Sequence, residues 1–197
     1  YENDGNENFT KRVIDTTADG AYYVFPADID GDGDMDVFSA SQRDNTIAWH
    51  RNDGAAGFSR LPIDTSAAKA RTVIGADING DGFVDAVSAS VEDDTVAWYE
   101  NDGNGGFTAY LVDGGADGAY GVFASDINQD GLLDILSASR DSAELAVHTQ
   151  VRAHSLSLGL GDTVTIDSGL LRVEDADDAA AQLTYTVTVA PSFGVLE

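Results

Sequence analysis

The chain has no cysteine among its 197 residues, a single methionine, three prolines and three histidines. Without cysteine the fold rests on no disulfide, and neither a thiol nucleophile nor a sulfur metal ligand is on offer. Basic residues are scarce too: ten Lys and Arg stand against 35 Asp and Glu, a net charge of −25. A surface that acidic repels nucleic acid and anionic membranes, and no basic stripe offsets it. No apolar run reaches membrane-spanning length, so no membrane insertion is expected. The histidines, His50, His148 and His154, fall in no metal-binding spacing, and no Gly-x-Ser-x-Gly elbow occurs. What remains is an acidic chain long enough for one or two domains with a real core.

Aspartate is abundant, and in one arrangement. DIDGDGDMD from Asp28, DINGDGFVD from Asp77 and DINQDGLLD from Asp126 each start 49 residues after the last. Two carboxylates ~5 Å apart at an effective dielectric of ~20 repel by about 3 kcal/mol, so such a loop asks for positive charge inside it. Oxygen side chains stand at loop positions 1, 3, 5 and 9: Asp28, Asp30, Asp32 and Asp36; Asp77, Asn79, Asp81 and Asp85; Asp126, Asn128, Asp130 and Asp134. Position 6 is glycine each time (Gly33, Gly82, Gly131), where a sharp turn asks for positive φ. Position 7 varies (Asp34, Phe83, Leu132), as suits a residue that offers only its backbone carbonyl. Hard oxygen ligands in this order describe a calcium loop, with about three ions expected, one per loop; magnesium would ask for tighter octahedral geometry. The lack of sulfur, and of histidine in the loops, disfavours zinc, copper and iron. Three such ions would move the charge only from −25 to −19, so most of the acidity belongs to the surface.

An EF-hand needs Glu at position 12, where this chain has Ser39, Ser88 and Ser137. The flanking segments, VFPADI and MDVFSAS in the first copy, alternate aromatic and β-branched residues and predict strands, so each loop is expected to join two β-strands. A solvated Gly-Asp hairpin turn would account for one copy; three in register speak for an ion.

The repeat extends beyond the loops. ENDGNENFT, RNDGAAGFS and ENDGNGGFT share the interval of 49, as do DNTIAWHRND and DDTVAWYEND. The first unit contains four strand-like runs, FTKRVID, AYYVFPADI, MDVFSAS and TIAWHR, the size of one propeller blade. The recurring A-D-[IV]-[DN]-x-D-G-x-x-D-x-x-S-A-S, followed by N-T-[IV]-A-W and an N-D-G turn, resembles the FG-GAP/VCBS repeats, calcium-loop blades of integrin-type propellers and of secreted bacterial proteins. The resemblance covers about residues 1–150 and implies a calcium ion at Asp28, Asp30, Asp32 and Asp36 and at their equivalents in the later copies. The third copy departs at position 4, where Gln129 replaces glycine. The fold expected is all-β: three four-stranded blades of about 49 residues, part of a larger β-propeller, plus a partial β-sandwich module. Three blades leave open sheet edges, and Tyr1-Glu2-Asn3-Asp4 matches Tyr99-Glu100-Asn101-Asp102 at the end of a unit. The sequence is therefore expected to begin inside a longer array, flanked by further repeats.

From residue 151 to 197 the pattern changes. Leu145 to Val151 lacks the tryptophan and the N-D-G turn, and the segment after it alternates at Val164, Ile166, Tyr185, Val187 and Val189. Its order of L-x-x-G-D-x-V-x-I, L-x-V-x-D-x-D, L-x-Y-x-V and P-x-x-G-x-L resembles cadherin-like and chondroitin-sulfate-proteoglycan-type repeats. That resemblance, over residues 154–196, implies an extracellular β-sandwich of which about half is present. Its acidic cluster, Glu174, Asp175, Asp177 and Asp178, lacks a closing ligand and reads as a solvated turn.

Other residues carry weaker signals. Trp49 and Trp98 are repeat-equivalent and read as packing between blades, with sugar stacking the alternative. Arg43, Arg71 and Arg140 read as partners of nearby aspartates, with an acidic polysaccharide as the alternative. The expected function is a calcium-binding, non-catalytic module for adhesion, ligand binding or spacing in a large secreted or surface protein, bacterial in type, with a protein or carbohydrate ligand. The rival is an accessory part of a secreted enzyme acting on polysaccharide or lipid. That rival would use a cleft in which His50, Arg43 and Tyr22 or Tyr23 converge, or a dyad of His50 with Asp44 or Asp53.

Overall fold

The computed structural model describes residues 2–3, 8–55 and 57–150. All belong to the first of the chain's two units, Tyr1–Val151; the sandwich-type module expected from residue 151, with the cluster Glu174–Asp178, lies outside the described residues.

No helix occurs among them, and every regular element is a β-strand. A short antiparallel pair comes first, β1 (Glu2–Asn3) with β2 (Phe9–Thr10). The first full sheet runs in order β3 (Ala21–Ala27), β4 (Asp36–Ser41), β5 (Thr46–Asn52) and β6 (Phe58–Asp64). The second repeats it with β7 (Ala70–Ala76), β8 (Asp85–Ser90), β9 (Thr95–Asn101) and β10 (Phe107–Asp113). The third consists of β11 (Ala119–Ser125), β12 (Asp134–Ser139) and β13 (Glu144–His148). Each sheet is an antiparallel meander, and the first pair of each carries a bulge at the same place, between Ala21 and Tyr23, Ala70 and Thr72, Ala119 and Gly121.

The blades match the expected repeat, but their frame is shifted by one strand. The sequence pattern groups FTKRVID with the strands that follow it; the structure instead closes each blade with the run after the N-D-G turn, FSRLPID in the first and FTAYLVD in the second. That turn is tight, with the Asp53 amide donating to Gly57 O and the Asp102 amide to Gly106 O, so the fourth strand folds straight back on the third. The start of the earlier run, Phe9–Thr10, pairs only with Glu2–Asn3, in a two-stranded sheet separate from the first blade.

Burial follows from stacking the sheets. Ile29, Phe38, Ile47 and Trp49 of the first blade pack against Val73, Ala86 and Tyr99 of the second. Val87 and Val96 of the second pack against Val122 and Ile135 of the third. The second blade is therefore covered on both faces, and all six residues of β8 are buried. Trp49 lies between blades as expected, edge-on to Phe107 at 6.3 Å. Trp98 is half-buried and stacks within its own blade on Tyr110, at 4.8 Å. Of the three arginines, Arg43 pairs with Asp19 and Arg140 with Asp141, while Arg71 takes no aspartate. Its guanidinium lies 3.4 Å from the ring centre of Tyr22 and 3.8 Å from that of Tyr120, its own repeat equivalents on the neighbouring inner strands.

Candidate metal centre

Each aspartate loop connects the inner strand of a blade to the second strand, as expected. Gly33, Gly82 and Gly131 at position 6 have φ of 93°, 94° and 87°. A Cβ there would meet nothing within 4 Å, so the backbone conformation and not crowding selects glycine. Position 4 also turns left-handed, and in the third loop the non-glycine Gln129 does so at φ 61°.

Carboxylates shape the loop by accepting its own amides. Asp28, Asp77 and Asp126 accept the position-6 glycine amide at 3.1, 2.9 and 3.0 Å. Asp32, Asp81 and Asp130 accept the position-7 amide of Asp34, Phe83 and Leu132. Position 3 accepts the position-5 amide through Asp30, Asn79 and Asn128.

The three loops then diverge. In the first, oxygens of Asp28, Asp30 and Asp32 lie within 4.8 Å of one another. Asp28 Oδ1 is buried there with no hydrogen-bond partner. Burial, together with the charges of Asp36 and Asp32, raises the Asp30 pKa above the usual carboxylate value. Half-buried Asp28 and Asp30 beside exposed Asp32, with an unpartnered oxygen, make a donor set whose hard oxygens would fit calcium. In the second loop Asn79 Nδ2 donates to Asp81 Oδ2 at 2.8 Å and to Glu100 Oε1 at 3.2 Å, so an amide relieves the charge. Asn128 does the same for Asp130 at 3.1 Å. A cation in these two loops would meet Asp77 and Asp81, or Asp126 and Asp130, and the second lone pair of an asparagine oxygen.

Position 9 has a second role. Asp36, Asp85 and Asp134 are completely buried. In each, Oδ2 accepts the position-2 amide, of Ile29, Ile78 or Ile127. Oδ1 accepts an amide 16 residues further on, of Asn52, Asn101 or Gln150, at 2.7 to 3.0 Å. Burial raises the Asp85 pKa even against these bonds. The ninth aspartate thus anchors the loop to the end of the third strand, with spare lone pairs for an ion. Sequence reasoning missed this anchor, although an N-D-G turn at a fixed 16 residues was its signal in the first two copies. Asn101 adds a tie between blades, its Nδ2 donating to Ile29 O of the first loop at 3.0 Å.

A second constellation was not expected. Ser39 Oγ lies 2.8 Å from His50 Nε2, and His50 Nδ1 lies 3.8 Å from Asp15 Oδ2. The imagined dyad of His50 with Asp44 or Asp53 is not what forms, and Arg43 and Tyr22 have partners elsewhere. The order serine, histidine, aspartate invites a catalytic reading, but Ser39 and His50 are each 2% exposed and no substrate carbonyl could reach them. The set also recurs every 49 residues with its chemistry changed. In the second blade Tyr99 takes the histidine's place, its hydroxyl donating to Asp64 Oδ2 at 2.8 Å beside Ser88. In the third, His148 meets Ser137 at 2.9 Å and Asp113 at 4.0 Å. Asp64 and Asp113 end the outer strand of one blade and reach the third strand of the next, and Asp15 holds the same repeat position; the hydrogen bond from Tyr99 to Asp64 ties the first blade to the second.

The family comparison agrees with this repeat. The profile of the FG-GAP-like repeat family matches residues 1–39, 28–88 and 77–137, the later segments each starting on the first aspartate of a loop. No curated protein matches the chain. Among solved structures, one described as the structural basis of specific recognition of non-reducing terminal N-acetylglucosamine by an Agrocybe aegerita lectin is similar at 23% identity. The alignment covers 60% of this chain and 33% of the lectin, with a TM-score of 0.45. The chain thus spans about a third of that protein's length.

Proposed function

We propose that this chain, which belongs to the FG-GAP-like repeat family, is a calcium-stiffened, non-catalytic module of an extracellular protein, serving adhesion, ligand binding or spacing. One observation carries the reading: Asp28, Asp30 and Asp32 converge within 4.8 Å while a buried oxygen of Asp28 lacks any donor. Leaving such a group uncompensated costs several kcal/mol, and a divalent cation removes that cost.

Asp28, Asp30, Asp32 and Asp36 would hold the first ion, with the carbonyl of Asp34. Asp77, Asn79, Asp81, Asp85 and the carbonyl of Phe83 would hold the second; Asp126, Asn128, Asp130, Asp134 and the carbonyl of Leu132 the third. Bound calcium supplies the charge that lets the carboxylates approach. The chain's own contribution is the left-handed glycine that brings positions 1 to 5 onto one side, and the ninth aspartate that fastens the result to the blade. Because the site exists only in the folded chain, occupancy becomes stability, about 2.7 kcal/mol per site at ~100 Kd. Modules with a Kd of ~10⁻⁴–10⁻³ M suit extracellular calcium, and the partner expected of such a module is a protein or a carbohydrate.

Titration calorimetry at millimolar CaCl₂, paired with thermal melts in calcium and in EDTA, tests the reading. Binding heat and a higher melting temperature in calcium are expected, with Asp32→Ala removing the first site's share of both. No heat and superimposable melts would refute it.

A further inference from the structure

The polar set that ties the blades has a fourth member, present in the first blade and missing from the second. His50 on β5 faces Arg60 on β6. Tyr99 on β9 faces Ala109 on β10 in the same register, 49 residues on. In the first blade Arg60 Nη2 donates to Asp44 Oδ2 at 2.7 Å, and its Nε lies 3.7 Å from Asp15 Oδ2. The guanidinium therefore sits between two aspartates. Both aspartates recur in the second blade, as Asp64 and Asp93, but Ala109 is far too short to reach them.

The missing side chain leaves a notch of about 220 Å³, lined by Asp64, Asp93, Thr95, Tyr99 and Ala109, with Tyr110 and Leu111 at its rim. Neither Asp64 nor Asp93 has an ion-pair partner among the described residues. Burial raises the Tyr99 pKa well above that of an ordinary phenol, and the charges of Asp64 and Asp93 push the same way, so the notch is negative inside. Tyr110 and Leu111 are 43% and 69% exposed, and β10 is the outermost strand of its sheet. An extended polypeptide could thus find apolar contact and unpaired backbone groups beside the charged notch.

We propose that this notch receives the arginine side chain of a partner polypeptide, its guanidinium lying between Asp64 and Asp93 where Arg60 lies between Asp15 and Asp44. Arginine fits better than lysine, because its planar fork offers donors to both carboxylates at once and it is the more weakly hydrated cation. Blade one is self-plugged and blade two is open, which makes the site single within this pair. Its two carboxylates, Asp64 and Asp93, lie outside the loop positions that would hold calcium, although Tyr110 at the rim donates to Glu100, which also accepts from Asn79 of the second loop.

The test follows backbone amide shifts of the full chain, in calcium and at low salt, on titration with Nα-acetyl-arginine methylamide. The citrulline analogue, which is isosteric but uncharged, serves as control. Saturable shifts confined to residues around Asp64, Asp93, Tyr99 and Ala109 are expected with arginine, and at least tenfold weaker ones with citrulline. Ala109→Arg supplies the plug from within: shifts on adding the peptide should vanish while the melting temperature rises, and Asp93→Asn added to it should cancel that rise. Arg60→Ala should open a second set of shifts around Asp15 and Asp44. Should Ala109→Arg not fold, Asp93→Asn alone, which preserves shape, must weaken arginine binding several-fold. Equal shifts with citrulline, shifts that persist in Ala109→Arg, or no saturable shift with arginine would each overturn the proposal.

Discussion

In the first blade Asp30 stands where the second has Asn79, His50 where it has Tyr99, and Arg60 where it has Ala109. The strands pair in one register throughout, so the backbone is constant while the handling of charge is not. The first blade gathers three carboxylates in its loop and neutralises its inter-blade aspartates with its own arginine. The second relieves its loop with an amide and leaves its inter-blade aspartates without a cation. A repeat thus fixes where polar groups sit, and single substitutions decide whether their counter-charge comes from the chain, from an ion or from another molecule.

The largest effect should come from what the two blades share. Asp36→Ala and Asp85→Ala each strip the acceptor from two amides, both buried for Asp85 and one part-buried for Asp36, at about 2 kcal/mol per donor left unpaired, or about 4 kcal/mol in all. Urea denaturation should return similar losses for both; a large inequality would break the equivalence of the anchors. Next is the contrast between loops. Asn79→Asp should make the second loop resemble the first, lowering stability in EDTA by about 2 kcal/mol and restoring it in calcium, while Asp30→Asn should shrink the calcium-dependent shift in melting temperature. Opposite signs of these two changes on EDTA melts are the expected outcome.

Much of this was legible beforehand. The loops could be read because an ion needs particular residue types a few positions apart, and strands could be read from alternation. What escaped were partners that folding brings together. Asp64 lies 35 residues from Tyr99, and nothing local marks either as half of a tie. The blade frame escaped for a related reason: FTKRVID alternates as a strand whichever sheet it joins, and only the tight turn at Asp53–Gly57 decides. The ninth aspartate was read as a ligand alone because its amide donors come from a strand 16 residues away.

Smaller effects test the inter-blade tie. Tyr99→Phe removes a hydroxyl between Asp64 and Ser88 and should cost about 1.5 kcal/mol, since a charged acceptor loses its donor. The smallest concerns pH. Burial holds the His50 imidazole below its ordinary 6.5, so the unfolded chain binds a proton first as pH falls. This contribution is complete above pH ~6.5 and is lost as pH drops toward the folded value, by at most about 1.4 kcal/mol per pH unit. His50→Gln should flatten that part of the curve, whereas Tyr99→Phe should leave its slope unchanged.

The aspartates at the ends of the outer strands have a mechanical consequence. Asp64 and Asp113 sit where the chain leaves one blade; Asp64 accepts a hydrogen bond from Tyr99 in the third strand of the next, and Asp113 lies 4.0 Å from His148 in the equivalent strand. A blade therefore cannot swivel about its short connector without tearing that fastening. Tension along the array should then be met by neighbours yielding together, as in a laced seam, and not by one segment slipping free while the rest stay intact.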